Sequence, residues 1–306
     1  MKPADYYHLL KHTVSEWIDD KVPRLGAALA FYSILSLGPL LLLALAAAGL
    51  IFGHEAAQGK IVAEIQGLIG QDGARAIQDM IADSAEEKDT GIVASIIGIV
   101  MLLVGASGVF GQLQDAMNTI WEVQPKPGRG ILGMIRDRFL SFTMVLGTGF
   151  MLLSSLVLST ALAALSEYTN GVFEDFAAVM HVVNFIISFA VISLLFAVIF
   201  KYLPDAKVAW RDVWTGAIIT AFLFTVGKFA IGLYLGHSAF GSSYGAAGSL
   251  VVILVWIYYS SQILFFGAEF TQVYANRFGD KIVPAPTAEK VTEGERANQG
   301  MKPVTG

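Results

Sequence analysis

The chain has no cysteine, which removes disulfides, thiolate nucleophiles and cysteine-ligated metals together and leaves the redox compartment unreadable. It is also short of charge: 15% of its 306 residues are Asp, Glu, Lys or Arg, against about a quarter in soluble domains. The five histidines, at 8, 12, 54, 181 and 237, are scattered and show no HxH or HExxH spacing that could hold a catalytic metal. No GxxxxGK[ST] loop is present, so direct drive by ATP is not expected. No basic patch interleaved with aromatics lies on a soluble segment, which argues against a nucleic-acid partner. The expectation is a chain that is not an enzyme and carries no metal and no cofactor.

What the chain does have is apolar length. It is 55% hydrophobic, with a mean hydropathy of +0.62, and long apolar runs fall at 26–52, 91–112, 139–164, 178–200, 213–236 and 247–270. A helix needs about 20 such residues to cross a bilayer core. The expected fold class is therefore all-α: a polytopic membrane protein with six transmembrane helices in one bundle. Residues 1–25 lack the apolar core of a cleavable signal, so the first span is expected to be a retained signal anchor.

Lysine and arginine set the orientation. The two ends and the loops at 113–138 and 201–212 hold sixteen, and the alternate loops hold three. By the positive-inside rule both the N- and C-termini are cytoplasmic. Three parts follow: an amphipathic N-terminal helix at 1–25, a membrane domain at 26–270, and a cytoplasmic, largely disordered tail at 271–306. The tail is assigned disorder because it shows three prolines, scattered charge and no periodicity.

In the first part Tyr6, Leu9, Leu10, Val14, Trp17 and Ile18 recur at three-to-four spacing. They describe either a helix packed on the bundle or one lying among the headgroups. The outer segment 53–90 reads as two amphipathic helices with eight acids on their polar faces; a partner-recruiting surface there is the alternative. The PKPGRG at 125–130 turns the chain, and Ile131, Leu132 and Ile135 begin a short amphipathic helix.

Charges inside the spans are few. Lys228 is the deep one, about 12 Å from the outer end of its span. It either faces a cavity or snorkels to the outer headgroups. His181, Asn184 and Ser188 form a stripe at similar depth and are candidate partners. Gly38 and Pro39 mark a candidate hinge, because proline removes a backbone donor and clashes with the carbonyl of Leu35. Small residues at four-residue spacing, as in Gly232 and Gly236 or Gly241 and Gly245, read as close helix packing and leave homo-oligomerisation open. On the last span Gly248, Val255, Tyr259, Gln262, Phe266 and Glu269 share a stripe, and Glu269, at the cytoplasmic end, is expected to meet a basic residue such as Arg24.

Four segments in order, LGAALAFYSILSLGPLLLL at 25–43, NTIW at 118–121, YLPD at 202–205 and YGAAGSLVVILVWIYYSSQILFFGAEF at 244–270, resemble the YihY/BrkB-like virulence-factor family of bacterial inner-membrane proteins. The motif positions are Gly26, Tyr32, Pro39, Tyr244, Gly245, Trp256, Gly267 and Glu269. The resemblance implies roles in serum resistance or in moving lipid precursors. An older ribonuclease BN label implies hydrolysis, but no metal-binding carboxylates or acid/base pair are visible, so ribonuclease activity is not expected. The expected function is a transporter or flippase-like carrier of a lipid or amphipathic solute, with membrane lipids as partners. Lys228, Asn184, Tyr259 and Gln262 would line its cavity. The alternative is a non-catalytic scaffold for envelope partners.

Overall fold

The computed structural model describes residues 3–53, six positions between 58 and 78, and residues 108–127, 174–237 and 248–301, with backbone alone at 3–4, 38–52, 174–181, 235–237 and 249. The expected outer helices, most of the spans at 91–112 and 139–164, the helix at 131–135, and Gly241, Tyr244 and Gly245 lie outside the described residues.

Helix α1 (Pro3–Asp19) passes through Lys21, whose φ of 55° turns the chain sharply into α2 (Val22–Phe52). Leu9 and Thr13 on one face of α1 are buried, and the helix packs there on the last long helix. Tyr7, Leu10, Val14 and Ile18 on the opposite face stay exposed. Helix α2 is continuous across Gly38 and Pro39, the candidate hinge. Proline deletes one i→i−4 bond in a 31-residue helix, and the bonds on either side persist.

Residues 108–120 are helical (α3) and end at Trp121 and Glu122, the latter also with φ of 55°. Strand β1 (Val123–Pro125) follows. Then come α4 (Glu174–Tyr202), β2 (Ala206–Lys207), α5 (Trp210–His237) and α6 (Gly248–Phe278). Among the described residues three stretches, Val182–Tyr202, Trp210–Tyr234 and Leu250–Phe278, are long and apolar enough to cross a membrane.

These helices are arranged as a bilayer demands. On α5, Ile218, Phe222, Val226, Phe229 and Leu233 form one exposed apolar stripe, and the buried face carries Val213, Gly216, Ala217, Thr220, Ala221 and Gly227. Large residues face out and small ones face in, because lipid solvates the former and backbone proximity needs the latter. The contact of α5 with α6 shows the device at its tightest. Thr271 sits where a side chain at Gly216 would be, and Thr220 sits where one at Gly267 would be. Each threonine hydroxyl donates back to the carbonyl of the glycine four residues earlier on its own helix, Thr220 to Gly216 at 2.7 Å and Thr271 to Gly267 at 2.6 Å. Gly232, in contrast, would meet nothing within 4 Å among the described residues.

The segment expected to be disordered is folded where it is described. After α6, strands β3 (Val283–Pro284) and β4 (Ala288–Lys290) lead into α7 (Glu293–Asn298). Strand β4 pairs antiparallel with β1, and β3 with β2. Thr292 and Glu295 close a capping box on α7. Elements of two to six residues are too short to repeat a hydrophobic period, which is why their pattern in the sequence looks like disorder.

The tail therefore binds together one polar end of the bundle, formed by α1, the turn after α3, the loop after α4 and the start of α5. Two of the four quoted segments meet there. The side chain of Asn118 donates to Asp205 Oδ2 at 3.1 Å, and the Asp205 N–H donates to Asn118 Oδ1 at 2.8 Å. At the start of α5, buried Asp212 accepts the N–H of Asp280 at 3.0 Å, and Gly279 leaves room for its carboxylate. Replacing Asn118 with alanine removes both of these hydrogen bonds to Asp205 and is expected to cost about 1–3 kcal/mol in thermal unfolding. Asn118→Asp, which sets one carboxylate against another, is expected to cost more.

Candidate functional site

Residues 259, 262 and 269 fall within one face of α6, since steps of three and seven residues return to the same side of a helix. That face is walled by glycine. A side chain at Gly26 of α2 would fall 2.0 Å from Gln262 Nε2, so the amide occupies the space that this glycine leaves open. A side chain at Gly227 of α5 would fall 3.0 Å from the Tyr259 hydroxyl, which places the phenol beside the residue preceding Lys228.

The stripe is poorly satisfied. Among the described residues, both the nitrogen and the oxygen of the Gln262 amide are buried without a hydrogen-bond partner, as are both oxygens of Glu269. The buried indole N–H groups of Trp17, Trp121 and Trp256 share that state. A buried polar group without a partner costs a few kcal/mol, and a carboxylate costs more.

The remaining predicted residues do not gather into one cluster. Lys228 is half-buried, with its ammonium 5.3 Å from the ring centroid of Phe229, itself on the exposed stripe. Asn184 lies on an exposed face of α4 beside Phe185 and Ile186. Tyr32 packs its ring against Gly108, and Trp256 makes an edge contact with Phe224 at 6.5 Å. A cavity of about 60 Å³ opens at the polar end, between Asn118, Thr119, Val123, Gln124, Arg296 and Met301.

Glu269 is fully buried, and the cation acting on it is not Arg24, which is exposed, but Arg296 of the tail. Asp20, Glu16 and Glu122 act on it as well. Arg296 is 2% exposed. Its guanidinium lies 2.6 Å from Asp20 Oδ1 and 3.9 Å from Glu122 Oε1. Two carboxyls thus share one guanidinium. Burial pushes Asp20 up to about 7, an effect that Arg296 only partly offsets. Burial likewise raises Glu16. Farther out, a hydrogen bond from Gln124 at 2.8 Å lowers Glu295. Sequence reasoning missed this cluster because Arg296 is 276 positions from Asp20 and no periodic signal links them.

Comparison with known proteins agrees with the segments that converge here. The family described as Virulence factor BrkB matches residues 13–292. The chain belongs to that family. It is 29% identical over 257 residues to a UPF0761 membrane protein of Verminephrobacter eiseniae, covering 82% of this chain and 58% of the relative. It is 27% identical over 268 residues to one from Psychrobacter sp., covering 86% and 48%. A third, from Rhodospirillum centenum, is 25% identical over 274 residues, covering 87% and 57%. The chain spans about half the length of these curated relatives. No solved structure matches. Within the BrkB motif, Gly26 and Gly267 are the close-approach glycines described above, and Glu269 is the buried carboxyl.

Proposed function

We propose that this BrkB-family membrane protein is a flippase-like carrier of a lipid or amphipathic solute, without catalytic chemistry of its own. The observation that carries the reading is the unsatisfied polar stripe of α6, with Gln262 and Glu269 about 10 Å apart along the helix axis. Intramembrane polar groups without protein partners mark substrate or ion pathways. Tyr259 and Gln262 line the path, and Lys228, against Phe229 on α5, attracts an anionic headgroup. The exposed face of α1 lies in the headgroup layer.

In this reading the protein crosses the bacterial inner membrane six times as one bundle. The polar end, with both termini, is cytoplasmic; the excess of Lys and Arg there, sixteen against three, supports it. The test is reconstitution into proteoliposomes holding fluorescent phospholipids with anionic or zwitterionic headgroups, with bleaching of the outer leaflet. Transbilayer exchange above that of bare vesicles is expected. Gln262→Leu should slow it about tenfold, a change of 1.4 kcal/mol, and Lys228→Ala should erase the preference for anionic lipid. Exchange no faster than in bare vesicles, with both headgroups, sinks the carrier reading.

A further inference from the structure

We propose that the corner where α4 hands the chain to α5 binds the phosphate headgroup of an anionic phospholipid, taken from the leaflet at the polar end. The inference goes beyond the carrier reading and does not rest on it, because a lipid held here stays in its own leaflet.

The corner is built from rings and cations. Tyr202, Trp210 and Trp214 all stand exposed. Tyr202 meets Trp210 edge-on at 6.0 Å, and Trp210 meets Trp214 at 6.5 Å. The rings therefore form one contiguous platform. Steps of four residues carry it from Trp210 and Trp214 into Ile218 and Phe222, the start of the exposed apolar stripe of α5. The platform thus lies where the lipid-facing stripe ends, at the depth where amphipathic rings settle between acyl chains and headgroups.

The cations stand beside it. Lys201 is held over Trp210, its ammonium 5.6 Å from the ring centroid, and donates to the carbonyl of Val208. Lys207 on β2 and Arg211 in the first turn of α5 are both exposed, and among the described residues neither has an ion-pair partner. The acids next to them in sequence are engaged elsewhere: Asp212 is buried and accepts the N–H of Asp280, and Asp205 accepts from Asn118. Lys207 and Arg211 are close enough in the chain that their Cα atoms lie at most about 14 Å apart. Two long side chains can close on one phosphate across that span.

This combination selects the ligand. The unmatched cations favour a phosphate, and the exposed rings favour one that brings an apolar body with it, which a free anion does not. A zwitterionic lipid carries the phosphate too, but its ammonium would meet Lys207 and Arg211, and Lys201 already occupies the face of Trp210 that could receive it. A phospholipid whose headgroup charge is only negative suits both parts.

The test is native mass spectrometry of the full chain released from detergent micelles, with phosphatidylglycerol or phosphatidylcholine of the same chain length added. One phosphatidylglycerol is expected to stay bound at concentrations where phosphatidylcholine does not. Lys207→Gln together with Arg211→Gln should weaken it about 25-fold, roughly fivefold for each cation removed. Both side chains are exposed, so the double variant should fold; should it fail to, each single variant is read for its fivefold loss. Lys228→Ala should leave this binding unchanged, since Lys228 lies about 25 Å farther along α5. Phosphatidylglycerol held equally by the double variant, or both lipids held equally by the native chain, overturns the site. Loss in Lys228→Ala alone moves the lipid to the carrier path and overturns it as well. Inorganic phosphate that displaces the lipid at equal concentration shows that the rings contribute nothing and overturns the lipid assignment. Binding that persists where proteoliposomes show no lipid exchange supports the site and removes the carrier alone.

Discussion

Replacing Arg296 with methionine is expected to destabilise the protein by about 3–5 kcal/mol, because it leaves Asp20 buried without its counter-charge. Asp20 has a side chain 3% exposed and Arg296 one 2% exposed, so little water is available to screen the loss. The effect depends on pH with a definite sign. Burial raises Asp20 from 3.8 to about 7 in the folded chain, so the unfolded chain releases its proton first as pH rises. Stability contributed by the neutral form is full below the unfolded value and is lost as pH rises through the folded one. Within the window from 3.8 to about 7, native stability is therefore expected to fall with rising pH. Without Arg296 the carboxyl is pushed higher still, so the penalty of Arg296→Met is small in acid and grows towards alkaline pH. Unfolding in nanodiscs across that range checks it: a constant difference between native and variant protein excludes Asp20 as the responsible group. Asp20→Asn should flatten the same window.

The second large effect is expected at the contact between α5 and α6. A β-carbon at Gly267 would lie 1.9 Å from Thr220 Oγ1 and 2.8 Å from two of its carbons. No rotamer of a β-branched residue clears all three, so Gly267→Ala requires the helices to part, at a cost of about 1–3 kcal/mol or more. Gly267→Val should abolish folded protein. The control is Gly232→Ala, which meets nothing within 4 Å among the described residues and should leave the melting temperature nearly unchanged. Adding Thr220→Gly to Gly267→Ala should recover part of the loss, since the coupling sits in that one pair. Additive losses in the double variant would show that the close approach is not what Gly267 serves.

These two expectations differ in how far they could be read without coordinates. Gly267 and Glu269 stand in a run of conspicuous apolar length, and the positions of α2, α4, α5 and α6 follow from four such runs. Length and apolarity are local properties, so any window of the chain carries them. The stripe of Tyr259, Gln262 and Glu269 is equally local, because helical geometry alone puts them on one side. Which glycines matter was not local. Gly232 and Gly236 have the same spacing as Gly216 and Thr220, yet among the described residues the helices approach closely at Gly26, Gly216, Gly227 and Gly267 and not at Gly232. Spacing shows that a face is smooth; it does not show which neighbour lies against it.

The tail shows the same division more sharply. Its strands pair with β1 and β2, segments far away in the chain, and its helix is six residues long. No period, propensity or run within 279–301 records those partners. The sequence by itself determined that the chain is helical, membrane-embedded and poor in intramembrane charge, because each follows from composition and period. Tertiary structure alone decided that Arg296, not Arg24, answers the buried carboxyls at the polar end. A counter-charge is chosen by distance in space, and a buried ion pair gains its energy only from close contact.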